Sequence, residues 1–491
     1  MQDVEVAAIA YDSRTVKDGD MFAAVSGEHA DGSAFIKDAV RRGASCVLTR
    51  RAAAGVAVPQ VAVADAREAM ARLSAILYGE PSKRLKLVAV TGTNGKTTTT
   101  YLLESVFIEA GITSGVIGTV NYRYAGTFME APHTTPEAPD LQRLLKKMLD
   151  AGVTHAAMEV SSHALAQKRV FATFYDAAVF TNLTHEHLDY HGDMEEYFRC
   201  KSLLFKGHLK EGGAAVVNVD DAWGGRLAGQ LPGAMTFSLR TGSGALIRPA
   251  QYRLDGGRIE AVIETPAGAL SLSSNLAGEY NLQNILGATG AALALGLKPA
   301  QIEKGINALE RVPGRLDKIE YAGNGKRFAA YVDYAHTGDA IERAIGALKG
   351  ITPAGGRIIT VFGCGGNRDR LKRPEMGDIS ARLSDFTIIT SDNPRDEDAL
   401  DIIMEIESGI GPVKRFAPED EPDAKGYMVI PGRMDAIRKA VAMAKNNDVI
   451  LVAGKGHEDY QISGGVKTHF SDAEALREAI KEFYGEQGDS R

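Results

Sequence analysis

The sequence predicts an α/β protein of several domains built on parallel sheets. Three observations carry that expectation. The chain has 491 residues, which at the usual domain size suggests about three units. Its 53 glycines exceed the usual ~7% in a background rich in Ala, Val and Ile, a composition that suits Gly-rich strand-to-helix turns. Short apolar runs are each followed at once by a polar cluster: TGTNGKTT after LVAV, SSH after MEV, DYAH after AYV, GCGGNRD after ITVF, SDNPR after TIIT and GKGHE after ILVA. In open α/β sheets, ligands bind beyond the carboxyl ends of the strands. Clusters of this kind from two domains therefore predict a site in the cleft between them.

The elements follow in order. Residues 1–85 alternate short apolar runs with a helix-like run at 65–77, and form the first expected domain. It closes at Pro81 and the basic group Lys83, Arg84 and Lys86. The second, 86–312, opens on the buried-strand run 85–90. It continues through apolar runs at 156–160, 177–180 and 214–217, with helical patterns between them, which is the signature of a parallel sheet with crossover helices. Residues 240–274 differ: short alternating segments with Gly turns predict a small antiparallel insertion. The Ala-rich run 281–297 predicts a core helix. Pro313-Gly314 marks the second boundary, and the third domain, 313–491, carries β-branched runs at 328–332, 357–362, 386–390 and 449–452.

Composition excludes several classes. Hydrophobic residues at 44% and charged residues at 24% describe an ordinary folded chain, not a disordered one. Lys and Arg number 56 against 63 Asp and Glu, a formal charge of −7, so no basic field is available for a nucleic-acid partner. Cys46, Cys200 and Cys364 are scattered with no CxxC pair, which suits a reducing compartment. The start, MQDVEVAAIAYDSR, lacks the basic region of a secretory signal. No apolar run approaches the ~18 residues of a membrane span. The expectation is a cytoplasmic protein with no membrane partner.

The strongest chemical signal is Thr91-Gly92-Thr93-Asn94-Gly95-Lys96-Thr97-Thr98 between a strand and a helical run. Glycines allow close backbone approach to a phosphate, a helix start offers N–H groups, and lysine adds a point charge. Thr97 supplies a hydroxyl of the kind that holds Mg²⁺ in P-loops. The spacing departs from the general Walker A pattern, since Val90 stands where its first glycine would be. Glu159 ends the strand run before Ser161-Ser162-His163; alone it reads more often as a solvated or capping group, and its placement after the glycine loop brings a Mg²⁺ carboxylate to equal weight. Residues 182–192 hold His185, His187 and His191 with Glu186 and Asp189, either a metal site or merely a polar loop. Lys201 lies in a helical pattern, where a surface lysine is the default.

Together TGTNGKTT, MEVSSHAL, TNLTHEHLDYHG, the lysine of CKSLLF and DYAHTGDA resemble the Mur ligases, of the MurE type. The resemblance runs in order from Asp12-Ser13-Arg14 to Gly454-Lys455-Gly456-His457-Glu458. It implies a UDP-binding domain, a central ATPase domain and a C-terminal Rossmann-like domain that binds the amino acid. It also implies a monomeric cytoplasmic enzyme whose substrates are ATP, a UDP-N-acetylmuramoyl-dipeptide and an amino acid, in peptidoglycan synthesis.

Position by position, it implies uridine-nucleotide contacts at Ser13, Glu28, His29 and Ala30, and dipeptide contacts at Thr134, Thr135, Ser161, Gln167 and Arg169. Gly92, Thr93, Asn94, Gly95, Lys96, Thr97, Thr98, Asn281, Asn284, Arg315 and Asp333 match its ATP contacts. Thr97, Glu159, His185 and Lys201, the last as a carbamate made with CO₂, match the groups around two magnesium ions. Catalysis then falls to Lys96, Glu159, His185 and Lys201. Asp392-Asn393-Pro394-Arg395 looks like the motif of the meso-diaminopimelate-adding members, joined by Arg368, Gly454 and Glu458. The physics agrees, because an arginine can fork onto the distal carboxylate that lysine lacks. An acid such as Glu458 can meet the ammonium. His133, where the family usually has Asn, and Gly338, where it has Pro, are departures. A folylpolyglutamate synthase would lack DNPR and the DSR region, and a simple P-loop hydrolase would not need GCGGNRD, DNPR and GKGHE together.

Overall fold

The computed structural model describes residues 3–27, 30–255, 257–323 and 326–485. Glu28 and His29, expected at the uridine nucleotide, lie outside the described residues. The architecture is α/β with parallel-rich sheets, as the spacing of apolar runs predicts.

The first sheet has four parallel strands, Ile9–Ala10, Met21–Ala23, Cys46–Thr49 and Gln60–Ala62, in that order. The helix Ala66–Leu77 begins at Asp65, whose carboxylate accepts from Glu68 N at 3.0 Å, an N-cap that satisfies one free helix donor. Met70 and Ala71 on its inner face are buried with Met21, Ala23 and Leu48.

The central sheet has eight strands. Its spatial order is Met235–Phe237, Leu209–Asn218, Tyr175–Phe180, Lys86–Thr91, His155–Glu159, Ser114–Ile117, Tyr122–Tyr124 and Thr127–Met129, with the last two antiparallel. Leu87, Val88, Ala89 and Val90 are all fully buried. Helices cover both faces, so this strand reads as a continuous apolar run instead of an alternating one. One face packs on helices Lys96–Glu109 and Glu279–Ala294, the other on Ala138–Asp150 and Met194–Gly207. The antiparallel insertion exists as Arg248–Asp255, Arg258–Thr265 and Gly268–Ser274. Its Ile259, Ile263 and Leu270 join the first of those cores.

The last large sheet orders its strands as Asp317–Gly323, Lys326–Asp333, Val449–Ala453, Ile358–Phe362, Phe386–Ile389 and Gly426–Val429. All its pairings are parallel except the first. The late strand Val449–Ala453 inserts between two earlier ones. The polar segments after Asp333, Phe362, Ile389 and Ala453 therefore gather at one edge. A hairpin, Tyr460–Ser463 and Val466–His469, follows GKGHE, and no signal in the sequence singles it out. Among the described residues no helix is long and apolar enough to cross a membrane.

Candidate active site

The phosphate-type loop joins Lys86–Thr91 to Lys96–Glu109. Its glycines are there for room: Gly92 has φ +147° and Gly95 φ +89°, and a Cβ would overlap Thr181 Oγ1 at the first and Asn284 Oδ1 at the second. Lys96 Nζ donates to the carbonyls of Gly92 at 2.9 Å and Thr93 at 2.7 Å. Lys201 Nζ donates to the same Gly92 carbonyl at 2.9 Å. Burial pushes both lysines below their ordinary range, Lys201 far below it, with Lys96's charge adding to the effect there. Lys201 is 1% exposed, which corrects the surface default. It sits on the inner face of Met194–Gly207 beside Tyr197, whose ring lies 4.7 Å from Nζ.

Glu159 is not solvated either, at 1% exposure. One carboxylate oxygen accepts from Thr97 Oγ1 at 3.0 Å and Thr119 N at 2.9 Å, and the other accepts from Thr119 Oγ1 at 2.8 Å. Arg315 reaches in from the C-terminal part to donate to Thr97 Oγ1 at 3.1 Å. Asn284 Nδ2 donates to Asn281 Oδ1 at 3.0 Å, and both side chains are buried. Asp333 accepts from the amides of Leu316 at 2.7 Å and Ala335 at 2.8 Å, fixing the turn that carries Arg315. Burial raises its carboxyl. Thr93 Oγ1 accepts from Thr184 N at 3.0 Å, Asn94 N donates to Asn182 Oδ1 at 2.8 Å, and Thr98 is buried in the first helical turn.

A cleft of about 1390 Å³ is lined by Thr119, which holds Glu159, and by Glu186 and His187, while the glycine loop, Glu159, Lys201, Asn281, Asn284, Arg315 and Asp333 lie outside its lining. Thr134, Thr135, Ser161, Gln167 and Arg169 line one wall, and Arg368, Asp392, Asn393, Arg395, Gly454 and Glu458 the other. On the first wall Arg169 donates to Gln167 Oε1 at 2.6 Å and to Thr135 O at 3.2 Å. Glu137 holds it at 3.0 Å, and Arg67 of the first sheet's helix meets Glu137 at 3.2 Å. On the second wall Arg395, at φ +55°, donates to Gly366 O at 2.7 Å. Asn393 Nδ2 donates to Glu458 Oε2 at 2.8 Å. Burial, then the nearby charge of Asp392, raises Glu458. Pro394 is buried, and Arg368 is exposed.

Between the walls, Glu186 lies 3.7 Å from His187 and 3.4 Å from His336. Burial alone would raise Glu186, yet the bond from His336 and the neighbouring cations hold it well below the usual carboxylate range. Burial pushes His187 down to about 4. His185, by contrast, is exposed on the cleft lining. Ser13 is buried beside Asp38 and Ala30 is exposed, and neither lines this cleft. His133 is exposed, and its carbonyl accepts from the Tyr122 hydroxyl. Gly338 begins the helix Gly338–Ile351, packed against Glu375. Sequence reasoning assigned no role to Glu137, His336, Asp339 and Lys455, and named Glu186 only within the polar run 182–192. Of these, DYAHTGDA and GKGHE already held His336, Asp339 and Lys455, but nothing local marks Lys455 as buried.

Comparison with known proteins gives a consistent picture. Three family profiles match in succession: "Mur ligase family, catalytic domain" over residues 5–78, "Mur ligase middle domain" over 90–292, and "Mur ligase, glutamate ligase domain" over 314–456. The chain is 45% identical over 493 aligned residues to the UDP-N-acetylmuramoyl-L-alanyl-D-glutamate–2,6-diaminopimelate ligase of Geobacter metallireducens, covering 98% of this chain and 95% of that one. It is 44% identical to the ligase of the same name from Gloeobacter violaceus, with the same shares covered. A solved structure of a ligase of that name superposes with TM-score 0.67 at 31% identity, covering 97% of this chain and 95% of that one. A MurF ligase from Thermotoga maritima in complex with ADP superposes with TM-score 0.64 at 19% identity, covering 98% and 99%, and speaks for the fold alone.

Proposed function

The chain belongs to the Mur ligase family, and from that premise we propose how its residues divide the work. The protein is an ATP-dependent amide ligase that adds meso-diaminopimelate to the D-Glu of UDP-N-acetylmuramoyl-L-Ala-D-Glu, a step of peptidoglycan precursor synthesis. The observation that carries the reading is one shared cleft. It sets the Thr134–Arg169 wall against the Arg395–Glu458 wall, with Thr119, the residue that holds Glu159, on the same lining.

The chemistry follows from the substrates. The γ-carboxylate of D-Glu attacks the γ-phosphorus of ATP and ADP leaves. The diaminopimelate amine then attacks the acyl phosphate and inorganic phosphate leaves. No side-chain nucleophile is required. The chain's task is positioning and charge stabilisation.

The residues fit the groups they would hold. Gly92 and Gly95 keep clear the space a Cβ would fill, and Thr97 and Glu159 offer the hard oxygen donors Mg²⁺ prefers. Magnesium, when bound, neutralises charge on the transferring phosphoryl group. Thr97, Glu159 and a carbamylated Lys201 would hold it. His187 takes the histidine role in place of His185, since His187 is the more buried of the two and lies among the charges of Lys96 and Lys201. Burial favours Lys201 as the neutral amine that adds CO₂.

Lys96 turns its ammonium from the loop carbonyls to the phosphates, and Arg315 meets them from the C-terminal side. Asn281, Asn284 and Asp333 shape the nucleotide pocket. Ser13 and Ala30 serve the uridine nucleotide, and Thr134, Thr135, Ser161, Gln167 and Arg169 the dipeptide. Arg395 and Arg368 take the distal carboxylate; Asp392, Asn393 and Glu458 take the ammonium, with Gly454 leaving room. The units run 1–85, 86–312 and 313–491, and the enzyme works as a cytoplasmic monomer.

The test is ADP release with the UDP-dipeptide and meso-diaminopimelate, L-lysine or no amino acid. Turnover with meso-diaminopimelate only is expected. Equal turnover with L-lysine would remove the role given to Arg395, and hydrolysis without tripeptide would remove the ligase.

A further inference from the structure

Lys455 is a lysine with no access to solvent, placed under the amino-acid wall of the cleft. Its side chain is 0% exposed. Gly454 at φ +115° and Gly456 at φ +56° flank it, so the chain folds sharply enough to tuck the side chain beneath the loop. Nζ lies 3.6 Å from Asp392 Oδ1 and 3.5 Å from Glu458 Oε2. It donates to Asn393 Oδ1 at 3.3 Å and to the carbonyl of Tyr460. Asn393 Oδ1 also accepts from Ile462 N at 2.9 Å, which leaves its Nδ2 to donate to Glu458 Oε2 at 2.8 Å. Asp392 Oδ1 has no hydrogen bond of its own.

Two carboxylates of the cleft wall, 9% and 16% exposed, thus converge on one fully buried lysine. Unshielded, such a pair cannot hold both charges, and one of them protonates. We propose that Lys455 is a positioning residue: the buried counter-ion that keeps Asp392 and Glu458 charged together, and Asn393 turned between them, for the distal ammonium of the incoming diamino acid. Lys455 itself does not touch that amino acid. The role rests on the ligase reading above. It assigns a function to the lysine of GKGHE, which the site reading leaves without one.

The groups that face Glu458 are Asp392 and Lys455, with Arg433, Tyr334 and Tyr460 sensing the same charge. Burial and Asp392 already push Glu458 up, and Lys455 opposes them. Removing its charge while keeping a donor therefore pushes Glu458 further up.

The experiment compares K455Q with wild type across pH 6 to 9.5, measuring kcat/KM for each substrate. Wild type is run first; absence of tripeptide there would defeat the ligase reading, not this one. The expected result for K455Q is a KM for meso-diaminopimelate raised about tenfold at neutral pH and recovering at alkaline pH, because the acid limb moves up by about one pH unit. The KM for the UDP-dipeptide stays within about twofold. An unmoved acid limb, or KM values that rise equally for all substrates, would overturn the proposal. If K455Q does not fold, K455Q/E458Q restores the charge balance and is expected to fold. Failure of that double variant to fold would show that Lys455 serves packing alone, and would likewise overturn it.

Discussion

Asp472→Asn removes one carboxylate charge from the deepest ion pair of the C-terminal part. Arg433 and Asp472 are both 0% exposed in their side chains. The guanidinium donates to both carboxylate oxygens at 2.7 Å, and to Ala453 O at 2.9 Å and Ser391 O at 3.2 Å. Those two carbonyls end just before GKGHE and DNPR, so one arginine ties the roots of both amino-acid loops. Breaking a buried pair by removing one partner costs about 3–5 kcal/mol. Asparagine keeps one acceptor, which favours the lower end, roughly 3 kcal/mol. At about 2–4 °C per kcal/mol for a unit of this size, the C-terminal transition should fall by roughly 6–12 °C. Far-UV circular dichroism reads it. Fluorescence of the single tryptophan, Trp223, reports the central part, and its transition should move little. The KM for diaminopimelate should rise while that for the UDP-dipeptide holds. A melting shift under about 2 °C, or equal shifts in both probes, would refute this account of Arg433.

Gly95→Ala forces a Cβ onto Asn284 Oδ1 at φ +89°; with about 1–2 kcal/mol of backbone cost alone, ATP titration should show KM up at least about tenfold, and an unchanged KM would defeat the loop assignment. Lys201→Ala should lose more than about a hundredfold in turnover and regain part of it with added short-chain carboxylic acids, whereas full activity would remove the carbamate. Glu397 accepts from Arg373 at 2.9 Å, and that bond, against a smaller burial effect, lowers its carboxyl from 4.5 to about 2. Being depressed, it contributes stability present above pH 4.5 and lost as pH falls through about 2. Denaturation of Glu397→Gln should therefore lie below wild type at neutral pH and converge with it near pH 2; parallel curves would contradict the shift.

The sheets were legible because burial on both faces writes itself into sequence as runs such as LVAV and ILVA. The cluster positions were legible for the same reason, since a polar segment after such a run lies at a strand's carboxyl end. Local spacing could not tell which polar residue faces inward. Lys201 occupies a helical pattern with Arg199 and Lys206 nearby, and only the packing of Met194–Gly207 against the glycine loop buries it. His185 and His187 are equivalent in the string THEH, yet a left-handed turn at His187, φ +57°, sends one to Glu186 and leaves the other exposed. The strand order was equally silent. That Val449–Ala453 pairs with Lys326–Asp333 is a contact across more than a hundred residues, and it alone brings GKGHE beside DYAH.

The glycine loop and the amino-acid wall bury their lysines in different company. Near the glycine loop two buried lysines share one carbonyl, Gly92 O. At the amino-acid wall two carboxylates share one buried lysine, Lys455. Burial penalises an unbalanced charge by far more than water does. At the loop Lys96 lies among Glu186, Glu159 and Arg315, and burial drives Lys201 toward its neutral amine; at the wall Asp392 and Glu458 are left to one lysine. As proposed above, the polyphosphate lies beside Lys96 and the distal ammonium beside Asp392 and Glu458. Exchange is then disfavoured, because an amine at the loop would meet Lys96 and Arg315, and a phosphate at the wall would meet Asp392 and Glu458. Asp339, in the helix Gly338–Ile351, accepts from Asn94 Nδ2 at 2.8 Å and Thr184 Oγ1 at 3.2 Å, so the C-terminal part is tied directly to the glycine loop. On the ligase reading, the order of charge from loop to wall sets which reactant lies where, before any group has to react.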